Sequence, residues 1–532
     1  MLRAFASAVL ALAATSLAAM TAPPAPQGVA PPAAKSAASR PNFIFIQGEA
    51  QGWSSTSVDM DGTPPSTARP AGLTPNLERM AADGMRFSDF YVTAPRCTPS
   101  RSSFVTGISP AKLHMTYQNE GGASRREGGG GGGGGGKAGG DANPGYNLMR
   151  TIAPSPDTDL PEGVRTTGGW LHDLGYASAH YGKWHVGRKA PTAVGFDDCD
   201  GANSNQGPDR GEAPNPKQAT AITDRAIAFM RQQHAAGKPF YVQIDHYGFG
   251  AEEEATPESL AIAKGLVPNV SGKPMGAIAG AHDVDLQVGR VLAALKEMGI
   301  DGNTYVFYGA DHGAQGGGGN RQANPPFSGA KGSVSEGGIR IPFIVRGPGI
   351  EAGAVSRVRA SGMDLLPTVL DLAGAPVGKP ADPDARNAIE GGSLVPVLRG
   401  GGAGTVTRPR NDLVIHFPHY DLGNGGPATA IYVDNLKLVH NYDSGQTMLY
   451  DLSKDPAERN DLAATMPEQV KQMKARMDEY LKDVKAQMPV PASADGKAPA
   501  QPAGGDQPRK GGGGKGGGGK GGGKGGSSAG EE

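Results

Sequence analysis

Cys97-Thr98-Pro99-Ser100-Arg101 sets a thiol beside small residues, a proline and a guanidinium within five positions. Proline is favoured in the first turn of a helix and Ser or Thr at its cap, so the run predicts a turn presenting Cys97 at a helix start. Free N–H groups and positive potential point outward there and favour an adjacent anion. Arg101 adds a fork of donors shaped for a tetrahedral oxyanion. Further polar groups stand where strands are expected to end. Lys183 and His185 are two apart and share a face if extended, and Asp311 and His312 follow an apolar run. A nucleophile, cations for an anionic ester and groups able to move a proton are the parts of an ester hydrolase.

Cys-x-Pro-Ser-Arg resembles the signature of the type I sulfatases. Gly182-Lys183-Trp184-His185, Asp311-His312-Gly313, Lys331 and Glu336-Gly337-Gly338-Ile339-Arg340 follow in that family's order, and the resemblance runs from about Pro41 to about Leu462. It implies an alkaline-phosphatase-like fold. It also implies that a formylglycine-generating or sulfatase-maturing enzyme oxidises Cys97 to Cα-formylglycine, whose hydrate attacks sulfur. Carried over residue by residue, Lys183 holds a sulfate oxygen and His185 bonds the diol, while Lys331 contacts the ester oxygen. Asp311 and His312 stand beside a hard cation, calcium or magnesium, which uses oxygen ligands. Cys97 in its modified form joins that metal set.

Two positions depart from the pattern. Glu49-Ala50-Gln51-Gly52 stands where the family has paired aspartates, so alanine replaces one carboxylate ligand, and Glu49 or Gln51 could still supply an oxygen. Gly250 stands where many relatives place a histidine on the sulfate, leaving His246 as the nearby candidate for contacting substrate. The implied activity is hydrolysis of a sulfate ester, sulfated carbohydrate ahead of aryl sulfate. A phosphoester or phosphonate monoester hydrolase and a catalytically impaired binder of sulfated glycans are the competing expectations.

The elements that must carry these residues read as α/β. Phe43-Ile44-Phe45-Ile46 is a short apolar run suited to a buried parallel strand, and the runs 177–181, 239–244 and 305–308 suit others. Thr74 to Met80 reads as a helix capped by Thr74 with Pro75 in its first turn, and helices are also expected at 170–176, 220–233 and 282–298. Alternation of strand and helix predicts a large, mostly parallel sheet sandwiched by helices over 41–400. Short strands at 413–417, 430–433 and 436–441 and a helix over 467–484 predict a smaller antiparallel unit with a helix over 401–486. His416 and His419 in that unit either reach the site's rim or pack.

The chain has 532 residues, 37% of them hydrophobic, and a formal net charge of -1, so nothing global argues for nucleic acid as a partner. Residues 1–22 have the form of a secretory signal peptide: Arg3, an apolar stretch too short to span a bilayer, then small residues. They predict an exported protein, periplasmic or extracellular, with no transmembrane segment. Residues 23–40 read as an Ala/Pro-rich linker. The Gly-rich insertion at about 121–142 and the Gly/Lys-rich tail 487–532 read as disordered. Cys97 and Cys199 are the two cysteines, so no disulfide framework exists.

Overall fold

The computed structural model describes residues 40–61, 70–118, 150–205, 207–209, 217–316, 323–375, 387–421 and 426–492. The stretches expected to be signal peptide and Gly-rich insertion, nearly all of the expected linker and residues 493–532 of the expected tail lie outside them.

An eight-stranded sheet forms the centre, in the order Ala354–Ser356, Met85–Phe87, Phe343–Arg346, Thr304–Ala310, Asn42–Gly48, Phe240–Asp245, Ala177–Gly182, Asp198–Cys199. Phe343–Arg346 runs antiparallel to both neighbours and every other pairing is parallel. The central strands are buried on both faces, which is why they read as unbroken apolar runs. On one face Phe43 and Phe45 pack with Phe104 of the helix Cys97–Thr106; on the other Ile44 and Ile46 pack with Val284, Val288 and Leu295 of the helix Lys273–Glu297.

Two helix starts differ from expectation for physical reasons. Thr74 occupies the cap position of Pro75–Ala82, but its hydroxyl accepts from the Ser57 backbone. The buried Asp285 carboxylate instead accepts from the N–H groups of Asn76 and Leu77, at 3.1 and 2.7 Å. The helix expected from His282 begins at Lys273, because its first turns are Gly- and Ala-rich and carry no apolar periodicity. Gly276 and Gly280 there face Ala251 and Phe249 so closely that a Cβ would collide.

The strands Leu413–Phe417, Ala428–Val433, Leu436–Asn441 and Thr447–Asp451 form the expected small antiparallel sheet, and Thr447–Asp451 was not anticipated. One face buries Val414, Ile431 and Leu438 against Met473 and Met477 of the helix Pro467–Asp483. Ile415, Ala430 and Tyr432 on the other face join the core of the large sheet. Residues 487–492, expected to be tail, run along the body instead, where Val490–Pro491 pairs with Thr151–Ile152 and Ala492 N–H donates to Arg150 O. Among the described residues no helix is long and apolar enough to cross a membrane.

Candidate active site

The chemistry-bearing residues gather at the carboxyl edge of the large sheet, where ligands of open α/β sheets bind. Glu49 follows Asn42–Gly48, Lys183 follows Ala177–Gly182, Asp245 ends Phe240–Asp245, and Asp311 and His312 follow Thr304–Ala310. Cys97 is the first residue of its helix, after Arg96 in extended conformation. A turn between Gly182 and Lys183 needs glycine, since Gly182 has φ +88° and a Cβ would lie 2.0 Å from Asp245 O.

Cys97 Sγ lies 3.2 Å from His312 Nε2, 3.5 Å from Lys331 Nζ, 3.7 Å from Lys183 Nζ and 3.8 Å from Glu49 Oε1. Lys183 Nζ is held by Glu49 Oε1 at 2.6 Å and Asn205 Oδ1 at 2.7 Å. Arg101 is buried and donates through Nε and Nη2 to Asp311 Oδ2 and through Nη1 to Asp245 Oδ2 and Lys183 O.

Burial opposes ionisation of the Cys97 thiol. The ammonium groups of Lys183 and Lys331, then His312 and a hydrogen bond with His185, outweigh it and hold the thiol well below its usual range. Burial likewise raises Glu49, yet Lys183, Lys331 and Arg101 bring it down to about 2. Lys331 is raised despite its burial by Cys97, Glu49 and Asp311. The pocket therefore favours negative charge at position 97 and on whatever binds beside it.

Glu49, Cys97, Asp311 and His312 each offer a ligand atom, and these atoms lie within 4.8 Å of one another. Metal–ligand bonds of about 2.0–2.6 Å let four such atoms converge on one ion, so the group fits a single divalent cation. The fit has two carboxylates and an imidazole, fewer charged oxygens than a hard cation ordinarily collects. Ala50 contributes its main chain, with N–H donating to Asp311 Oδ1 at 2.9 Å.

The structure brings Cys97, Arg101, Lys183, His185, Asp311, His312, Lys331 and Glu49 together. Gln51 is not brought there: its amide oxygen accepts from the Tyr308 hydroxyl under the sheet edge. His246 directly follows Phe240–Asp245 at the same sheet edge, where its N–H donates to Gln47 O. It is buried, its ring nitrogens have no hydrogen-bond partner among the described residues, and burial lowers it to about 4. His416 and His419 pack, with His416 between Thr429 and Gln487 and His419 against Thr116. Cys97 and Cys199 are both free thiols.

Residues missed in the sequence are the buried His180, Gln243 and Asp245 behind Arg101, Asn205 on Lys183, and the pair Arg96–Asp421 beside Tyr117. Gln243 and Asp245 stand two apart in an otherwise apolar strand, the period that puts polar groups on one face, and that signal was available.

Comparison with known proteins follows the same residues. The Sulfatase family model matches residues 41–375, and the model for the C-terminal part of N-sulphoglucosamine sulphohydrolase matches 330–487. N-acetylgalactosamine-6-sulfatase of Sus scrofa is 30% identical over 398 residues, 67% of this chain and 66% of that protein. The chain thus spans about 66% of the length of that relative. Arylsulfatase A of Bos taurus is 27% identical over 500 residues, covering 81% of this chain and 85% of that one. The solved structure of Ps i-CgsB with k-i-k-neocarrahexaose superposes with a TM-score of 0.64 at 21% identity, over 84% of this chain and 93% of that chain. A structure bound to its substrate D-glucosamine-2-N,6-O-disulfate gives 0.57 at 19% identity, over 84% and 98%.

Proposed function

The chain belongs to the sulfatase family, and from that membership we propose that it hydrolyses sulfate esters of carbohydrates at the Cys97 pocket, outside the cytoplasm. The observation that carries the reading is the ring of Lys183, Lys331, His312 and Glu49 within 3.8 Å of Cys97 Sγ at a helix N-terminus. Position 97, oxidised to formylglycine by a maturation enzyme and hydrated, supplies the attacking hydroxyl. Glu49, Asp311, His312 and residue 97 would hold a calcium or magnesium ion, which when bound would supply positive charge beside the sulfate.

The remaining work falls to side chains of this chain. Lys183, fixed by Glu49 and Asn205, pairs with a sulfuryl oxygen. Lys331, nearer the surface than the fully buried Lys183, meets the ester oxygen and offsets charge as the alcohol departs. His185 shares a hydrogen bond with residue 97 and is suited to carry its proton. Arg101 keeps Asp311 in place rather than touching the ester.

Two of the similar structures, one bound to neocarrahexaose and one to a disulfated glucosamine, support a saccharide as the alcohol. The test is sulfate release from a panel of sulfated oligosaccharides, with an aryl sulfate and the matching aryl phosphate and phosphonate beside them. Turnover of a sulfated saccharide above the others is expected. Preference for the phosphorus esters overturns the sulfatase reading, and turnover of none overturns catalysis in favour of binding.

A further inference from the structure

Behind the pocket, on the far side of Arg101 from Asp311, lies a buried polar group whose members reach neither the ester nor residue 97. Asp245 Oδ2 receives Arg101 Nη1 at 2.8 Å, Gln243 Nε2 at 3.0 Å and His180 Nε2 at 3.1 Å. His180, Gln243, Asp245 and Arg101 are each at most 1% exposed. Such a site, in strands otherwise apolar, is costly unless the groups satisfy one another.

We propose that Asp245, oriented by His180 and Gln243, is a positioning residue that fixes Arg101 and through it sets the charge that Asp311 presents to residue 97 and its cation. Contacts behind the cluster orient Gln243 and His180, while Asp245 Oδ1 and His180 Nδ1 have no hydrogen-bond partner among the described residues. Tyr241 donates its hydroxyl to Gln243 Oε1 at 3.0 Å, which turns the Gln243 amide nitrogen toward Asp245. The His180 ring stands edge-on to Trp184 and Phe196, with centroids 4.9 and 5.9 Å away, and its Nε2 must carry hydrogen to donate to Asp245. The Asp245 carbonyl also accepts from Lys183 N–H at 2.8 Å, while Arg101 Nη1 donates to Lys183 O at 2.8 Å. One residue therefore anchors both the guanidinium and the backbone of the sulfate-binding lysine.

The charge argument gives the consequence. Arg101 lies between two carboxylates, Asp245 at 2.8 Å and Asp311 at 3.0 Å. Shared in this way, the guanidinium leaves Asp311 with negative charge to offer a cation. With Asp245 neutral, the whole positive charge falls on Asp311, which then competes poorly for a divalent ion and holds it less firmly in line.

The inference rests on the sulfatase reading, and its test separates the two. Asp245→Asn keeps the size of the side chain and removes its charge. Expected is a fall in kcat and in cation affinity of about 10- to 100-fold each, typical of outer-shell partners of a metal site, with KM nearly unchanged. Cation affinity is read by calorimetry with calcium alone on the protein, so it reports even if no sulfate ester is turned over. His180→Phe, which keeps the ring packing and deletes the donor, should show the same pattern more weakly. It carries the test if Asp245→Asn does not fold. Wild-type cation affinity and kcat in the folded variant overturn the proposal. So does a loss confined to melting temperature, which would make the cluster purely structural.

Discussion

Replacing Lys437 by Met probes how the C-terminal sheet holds the pocket. Lys437 is fully buried, and its Nζ donates to Val334 O at 2.8 Å, Glu336 Oε1 at 3.0 Å and Glu458 Oε1 at 2.7 Å. Glu336 also receives the hydroxyls of Tyr91 and Tyr432. The variant leaves two carboxylates facing each other without their shared cation. Removing one partner of a buried ionic group costs roughly 3–5 kcal/mol, so about 4 kcal/mol is the expected scale for this fully buried lysine. The sign with pH follows from Glu458, already raised by burial and by Glu336 against the pull of Lys437. Without Lys437 it rises further. A carboxylate with a folded pKa above its unfolded value costs stability at high pH, and the cost disappears as pH falls through the folded value. Denaturant titration should therefore show a loss of about 4 kcal/mol near about pH 7.5 and a clearly smaller one near about pH 5.5. Because Val334 and Glu336, which Lys437 holds, follow closely after Lys331 in the chain, kcat should fall as well. A loss below about 1 kcal/mol, or one equal at both pH values, refutes the account of the cluster.

Active protein should carry an aldehyde at position 97, about 18 Da lighter than the encoded cysteine, read by peptide mass spectrometry; a wholly unmodified thiol in active preparations rules the mechanism out. Calcium should bind weakly, be lost to a chelator with activity, and restore activity on addition, as two carboxylates and an imidazole predict. Ala50→Asp should tighten it in a calorimetric titration, since aspartate tolerates the positive φ of 55° at this position better than most side chains. Stability should fall in acid. Burial lowers His246 and His416 to about 4 and His419 to about 3, so the unfolded chain binds more protons once pH drops through the ordinary histidine range. Asp285, raised to about 6 by burial, opposes this in part. The net slope near about pH 5 should be about 2.5 kcal/mol per pH unit, and flat denaturation midpoints across that range would contradict it.

How much of this could be read beforehand depended on whether a residue's role was local. Cys97 at its helix start followed from proline and hydroxyl residues in one turn, and Phe43 to Ile46 followed from apolar continuity. Lys183, Asp311 and Lys331 were legible through motifs that fix loops at strand ends. Gln51 lies elsewhere because the turn after Gly48 folds its side chain back to Tyr308, which spacing along the chain does not reveal. The role of Asp245 depends on Arg101, far away in sequence and met only when the Cys97 helix packs on the sheet. The start of Lys273–Glu297 was hidden because Gly276 and Gly280 are selected for close approach rather than for apolar periodicity.

Ala50 and His185 are two of the non-glycine residues with positive φ, at 55° and 49°, and each lies beside the pocket. A left-handed residue with a Cβ costs roughly 1–2 kcal/mol, and here that conformation aims the Ala50 N–H at Asp311 and carries His185 past the turn at Lys183. Anyone seeking a heat-tolerant form of the protein would meet this first. Glycine at position 185 would relieve the backbone and delete the imidazole that hydrogen-bonds Cys97. The same geometry recurs at Lys485, φ 53°, just past the end of Pro467–Asp483, where glycine is the favoured residue and no pocket depends on the side chain. Lys485→Gly should raise the melting temperature with kcat unchanged, because there the backbone conformation serves only to end a helix.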